Sequence, residues 1–242
     1  MKISLSLLLV CVSMGLFAQA EEARAKHPLK VEASFSLNSN GIAPIPSFSL
    51  DKPALMAAAS ISKGRFSYSP TMAFSLEMKP WYVDNWFHYR VVDRPDFELK
   101  AGVNFSTFCS GLSIEGEEIL KAERYFAFSL TGTYRFSPLS SLALDYWSDN
   151  GQEKGSLTGH FFNLVYEHSE ISLGKKAFLG LNLMLFYINY TGKNDGLFFS
   201  PTLSFSVRGI PSTLYLQATQ PLQSNIEPWP GFKWNVGISY HL

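Results

Sequence analysis

The sequence predicts an all-β fold, an antiparallel up-and-down transmembrane β-barrel of twelve strands, with ten strands as the alternative count. Three observations carry that expectation. Bulky apolar residues alternate with small or polar ones in run after run, which is the period of a strand whose two faces meet different surroundings. Charged residues make up only 17% of the chain beside 15% aromatics, with a formal net charge of zero. The third is an export leader: Lys2, an apolar stretch from Ile3 to Phe17, then the small-x-small triplet Ala18-Gln19-Ala20.

The strands follow from the alternation, and their limits from turn chemistry. Runs are expected at 30–38, 54–62, 65–79, 84–92, 97–109, 123–136, 141–148, 157–168, 177–190, 197–208, 212–220 and 232–242. In the third, Phe66, Tyr68, Met72, Phe74, Leu76 and Met78 oppose Ser67, Ser69, Thr71, Ala73, Ser75 and Glu77. In the fifth, Phe97, Leu99, Ala101, Val103 and Phe105 oppose Glu98, Lys100, Gly102, Asn104 and Ser106. The sixth sets Phe126, Phe128, Leu130, Tyr134 and Phe136 against Ala127, Ser129, Thr131, Thr133 and Arg135, and the tenth repeats the rule. Runs of ten or so residues tilted by ~40° rise roughly 25 Å, the height of a barrel's apolar band. The first two runs are the least regular, because Pro44, Pro46 and Pro53 interrupt them and Ala54 to Ala59 favour strands poorly. Tight turns at Asp93–Asp96, Ser137–Ser140 and Gly209–Ser212 alternate with the connections Ser110–Ala122, Asp149–Ser156, Thr191–Gly196 and Gln220–Gly231. A soluble β-sandwich also alternates, but its solvent faces would carry charge where this chain places Ser, Thr, Gly and Asn.

The last run adds a motif. Asn235, Gly237 and Tyr240 stand at the spacing of a polar residue, a glycine and an aromatic, and Leu242 occupies the place of a terminal aromatic. This resembles the C-terminal insertion signal of bacterial outer-membrane β-barrel proteins, from which it departs at Leu242. The resemblance implies a monomeric barrel in the outer membrane of a Gram-negative bacterium, inserted by the barrel-assembly machinery and surrounded by outer-membrane lipids. Residues 1–20 are then a cleaved signal peptide, 21–29 a periplasmic tail and 30–242 the barrel. Beyond the leader no segment approaches the ~20 apolar residues of a spanning helix. Cys11 falls in the leader, so Cys109 stands alone and a disulfide framework is excluded.

Twelve strands give a backbone cylinder of roughly 12 Å radius, about half of which inward side chains fill. Near mid-height the polar phase offers Ser34, Ser36, Ser69, Thr71, Gly102, Asn104, Ser129, Thr131, Thr202, Ser204, Asn235 and Gly237, small enough to leave a hydrated passage. Toward the turns and termini the same phase carries Lys30, Glu32, Arg90, Glu98, Lys100, Arg135, Arg208 and His241. These lumen-lining residues read either as a charged filter or, the preferred reading, as an ion-paired cluster that joins neighbouring strands. Cations outnumber acids there, so an open passage would mildly prefer anions. The run 177–190 is apolar in both phases and is expected to pack an inward-folded loop or the N-terminal tail, with a greasy ligand pocket or an outside protein contact as the alternatives. Trp81, Tyr82, Trp86, Tyr89, Tyr146, Trp147, Tyr190, Trp229, Trp234 and Tyr240 are expected in interfacial girdles, with sugar stacking as an alternative for Trp81, Tyr82 and Trp229.

Recognisable catalytic chemistry is sparse. Asp145 and His160 fall on consecutive strands and could pair, yet no serine in a nucleophile setting accompanies them, and His168-Ser169 is placed in a turn. Scattered histidines and one mature cysteine make no spaced metal set, and neither a phosphate loop nor a basic field for nucleic acid is present. The expectation is therefore a barrel without enzymatic activity or cofactor, acting as a narrow passive channel for small polar solutes or as a structural barrel. A non-conducting binding or scaffold barrel of an envelope complex is the second reading, and a lipid-modifying enzyme the third. If the terminal motif acts as an insertion signal, Leu242→Phe raises the yield of heat-modifiable, folded protein in cells; an unchanged yield contradicts that role.

Overall fold

The computed structural model describes residues 27–43, 49–114, 117–191, 194–227 and 229–242, so the leader and most of the tail at 21–29 lie outside the described residues. Twelve strands follow one another: β1 (Lys30–Asn38), β2 (Ala54–Lys63), β3 (Phe66–Ser75), β4 (Pro80–Asp93), β5 (Phe97–Ile114), β6 (Glu117–Ser137), β7 (Ser140–Gly151), β8 (Thr158–Ser172), β9 (Ala177–Tyr190), β10 (Asn194–Val207), β11 (Ser212–Ser224) and β12 (Lys233–His241). Each pairs antiparallel with the next, and β1 pairs with β12 to close the barrel. Every expected run corresponds to one strand, including the two irregular ones, so the ten-strand alternative falls.

The limits differ most in four places. β3 ends at Ser75, and Leu76 and Met78, expected on its apolar face, lie in a turn where Met78 adopts φ 61° and donates its N–H to the Ser75 carbonyl at 3.0 Å. That tight turn lets β4 begin at Pro80 and brings Trp81 into the barrel wall. Residues 110–122, expected as a connection, continue the β5–β6 pairing from Cys109↔Ala122 to Ile114↔Glu117, above the last partners of β4 and β7. A two-stranded ribbon satisfies one edge of each backbone there, which a loop would leave to water. β8 runs on through a bulge between His168 and Ile171 to Ser172, so His168 and Ser169 belong to a strand. β11 likewise continues to Ser224.

Alternation sorts the side chains by face. Phe35, Leu37, Phe105, Phe128, Leu130, Phe162, Leu164, Leu203, Phe205, Leu214, Leu216, Val236 and Ile238 are all exposed on the outer surface. Burying one such side chain is worth about 1.5–3 kcal/mol, so a belt of them encircling the wall is stable only against lipid. The opposite phase is buried: Ala73, Asn104, Ser129, Asn163, Ser200 and Asn235. Strand β2 forms despite its alanines because Ala54 and Ala73 leave space for Trp81, which is 2% exposed, so packing overrides propensity.

Two of the small inward residues, Gly102 and Gly237, make room for neighbouring rings. A Cβ at Gly237 would stand 2.3 Å from the Tyr215 ring, and one at Gly102 would stand 2.4 Å from His88 Cδ2. Each glycine seats a ring from a neighbouring strand. The Tyr215 hydroxyl donates to Asn38 Oδ1 at 2.6 Å, while Asn235 Nδ2 donates to the same oxygen at 2.7 Å, tying β11 and β12 to β1 across the closure. Gly237→Ala is accordingly expected to cost about 1–3 kcal/mol through overpacking. Urea unfolding of the reconstituted barrel measures this, and the cost disappears in a Tyr215→Ala background; an equal cost in both backgrounds contradicts the packing account.

Candidate functional site

The barrel interior divides along its axis. At the short-turn end, Arg90, Glu98, Lys100 and Arg135 gather around one carboxylate. Glu98 is 8% exposed and lies 3.4 Å from Lys100 Nζ, 3.6 Å from Arg135 Nη2 and 3.9 Å from Arg90 Nη1. Arg90 also pairs with Asp93 at 3.0 Å and donates to the Gly64 carbonyl. The ion-paired reading of these residues is what the geometry contains. A cavity of about 600 Å³ opens beside them, lined among others by His27, Lys30, Arg65, Arg90, Asp93, Glu98 and Lys100. Arg208 instead pairs with Glu170 near the rim. Glu32 and His241 sit exposed on the inward phase of β1 and β12 and take part in no ion pair among the described residues.

At the long-loop end a second cavity, about 470 Å³, is lined by residues including Lys52, Glu77, Lys79, Trp81, Phe108, Glu123 and Tyr125. Below it a smaller hollow of about 100 Å³ is enclosed by Ala43, Asp84, Trp86, Asn104, Ser106, Phe108, Tyr125, Ala127, Trp147 and Asp149. Phe108 and Tyr125 belong to both, so the two are contiguous. The expected girdle divides accordingly. Tyr89, Trp229, Trp234 and Tyr240 are exposed on the outside, whereas Trp81, Tyr82, Trp86, Trp147 and Tyr190 pack inward. Strand parity corrects the expectation: counting back in twos from Arg90 gives His88, Trp86, Asp84 and Tyr82 on one face, and Trp81, out of that phase, turns inward at the register shift between Ala73 and Phe74. The same count from Asp145 gives Trp147 and Asp149.

The wall of β8–β10 is apolar on the inside, as the run 177–190 foretold. Phe161, Phe186, Ile188, Tyr190 and Phe198 form a buried cluster with Met184 and Trp147 against it, and Ile226 from the β11–β12 connection folds down onto them. The expected inward-folded segment is this connection. Asp145 and His160 do not pair, because consecutive positions of one register face opposite ways. Asp145 points inward, accepting from Thr131 Oγ1 at 2.7 Å and Asn163 Nδ2 at 3.0 Å, while His160 Nδ1 lies 2.9 Å from the Tyr146 hydroxyl on the outside. His168 Nδ1 likewise meets Ser140 Oγ at 2.8 Å across β7 and β8.

No protein-family model matches the chain, and no curated protein matches it in sequence. Solved structures do match in shape. The KdgM porin superposes with a TM-score of 0.57 at 13% identity, over 86% of this chain and 98% of the porin. The KdgM porin in complex with disordered oligogalacturonate gives 0.55 at 11% identity, over 87% and 97%. The NanC porin gives 0.51 at 9% identity, over 88% of this chain and all of its own, 100%. The fold is that of a bacterial outer-membrane β-barrel.

The floor cluster yields one prediction. Glu98→Gln leaves Arg90, Lys100 and Arg135 without their shared carboxylate, and is expected to cost about 1–3 kcal/mol of unfolding free energy, the scale of an unsatisfied, partly buried charged partner. Unfolding in urea at low and high salt measures it, with the larger loss at low salt. A change within error at both salts contradicts the cluster's role.

Proposed function

We propose that this protein is a narrow outer-membrane channel through which small polar solutes pass, with a mild preference for anions. The observation that carries the reading is the wide basic vestibule at the short-turn end, where Lys30, Arg65, Arg90 and Lys100 face Asp93 and Glu98. Four permanent cations against two carboxylates raise the local concentration of anions. Two vestibules at opposite ends of one closed barrel, and an apolar belt between them, support a transmembrane path. The likeness to porins, one of them solved with oligogalacturonate, is in keeping with it. The leader and the terminal motif support the outer membrane as location, with the short turns toward the periplasm and insertion by the barrel-assembly machinery as a monomer.

One observation favours a second reading. Ile226 and its apolar cluster occupy one side of the interior, and a barrel so filled would serve as a non-conducting scaffold. Planar-bilayer recording separates the two. The channel reading predicts small, resolved conductance steps and, in a potassium chloride gradient, a reversal potential displaced toward that of chloride. Absence of steps at any salt concentration overturns it in favour of the scaffold.

A further inference from the structure

Above the basic floor the interior changes character, in a way that the channel reading does not use. The small hollow of about 100 Å³ is walled by three aromatic rings of strands β4, β6 and β7, with a fourth from β5, and holds two carboxylates, Asp84 and Asp149. The Trp86 and Trp147 rings lie 6.1 Å apart at 53°, and the Phe108 and Tyr125 rings 5.9 Å apart at 86°, so the walls are inclined faces around a space. Asp149 is more than nine-tenths buried, at 7% exposure, and its Oδ1 accepts the Gly159 N–H at 2.8 Å. Asp84 Oδ1 accepts from Asn104 Nδ2 at 2.7 Å. None of the ion pairs among the described residues includes either acid.

Two carboxylates that line one hollow without a counter-ion are poorly solvated, a cost that a cation seated beside them offsets. A metal ion is a poor occupant. No group of three metal-binding acids, histidines or cysteines occurs among the described residues, and the aromatic walls supply no hard oxygen ligands. Indole faces attract ammonium groups through their quadrupole, and most strongly where water is excluded. We propose that the hollow formed by Trp86, Trp147, Tyr125, Asp84 and Asp149 binds the protonated amine head group of a small organic cation, which enters from the long-loop vestibule. Charge comes from the aspartates and fit from the rings. The lumen is thereby bipolar, with an acidic aromatic seat above a basic floor.

Intrinsic fluorescence of the full-length refolded barrel in detergent tests this, because Trp86 and Trp147 form the walls and so report occupancy. Propylammonium chloride is titrated beside its neutral isostere 1-propanol and beside sodium chloride at equal ionic strength. The expected result is a saturable change with propylammonium alone, weakened about tenfold by Asp149→Asn and by Asp84→Asn. Each variant is first checked for heat-modifiable migration, and the wild-type comparison of amine with alcohol decides even where a variant does not fold. An equal response to 1-propanol or to sodium chloride, or no response to the amine, overturns the proposal. Binding without conductance would retain this site and remove the channel reading; conductance without binding would do the reverse.

Discussion

Everything in this molecule depends on closing a ring of backbone hydrogen bonds. In lipid an unpaired N–H or C=O costs several kcal/mol, so a sheet can cross only if its first strand finds its last. Here the seam is the shortest ladder of the barrel: β1 pairs with β12 over Ser34↔His241 to Asn38↔Gly237, whereas β1 pairs with β2 along its whole length. Side chains supplement the short seam. Asn38, Ser39, Asn40, Asn235 and Tyr215 form one hydrogen-bonded group across it, with Asn235 only 1% exposed. The asparagine of the terminal strand is thus a structural clasp as well as part of a motif.

Closure fixes the strand count, and the count fixes how much room remains inside. A twelve-strand cylinder is wide enough for a lumen but narrow enough that a few large rings decide its contents. The chain places those rings opposite small residues: Tyr215 over Gly237, His88 over Gly102, Trp81 beside Ala54 and Ala73. Interior packing therefore concentrates on particular sectors of the wall and leaves vestibules at both ends. Charge follows the same division, with arginine and lysine held at the floor by Glu98, and aspartates set among aromatics higher up.

Much of this was legible in the sequence because period two is a strong signal wherever lipid meets one face. Strands β5, β6 and β10 read directly, and the twofold apolar character of 177–190 correctly marked an interior packing surface. The ion-paired floor was also visible, since Arg90, Glu98, Lys100 and Arg135 share a phase near short turns. What sequence missed lies where two explanations share one residue type. Tryptophan near a strand end suits an interfacial girdle and an interior wall alike, and only register separates Trp234 from Trp86. A glycine or serine on the inward phase suits an open passage and a seated ring alike. The Asp145–His160 pairing failed for a simpler reason: neighbouring strands set positions 145 and 163 opposite each other, which turns His160 outward. The sequence at 110–122 mixes small, charged and apolar residues without a sustained period of two, so no alternation announced the ribbon.

Along the strands one phase meets lipid and the other the interior, and the native tryptophans test this directly. Of the five, Trp234 is retained alone in one variant and Trp86 alone in another, the rest being replaced by phenylalanine, with both refolded into vesicles of phosphatidylcholine brominated along its acyl chains. Bromine quenches on contact. Strong quenching of Trp234 together with a nearly unquenched Trp86 is the predicted outcome. Equal quenching of the two would contradict the assignment of faces, and with it the account of the interior.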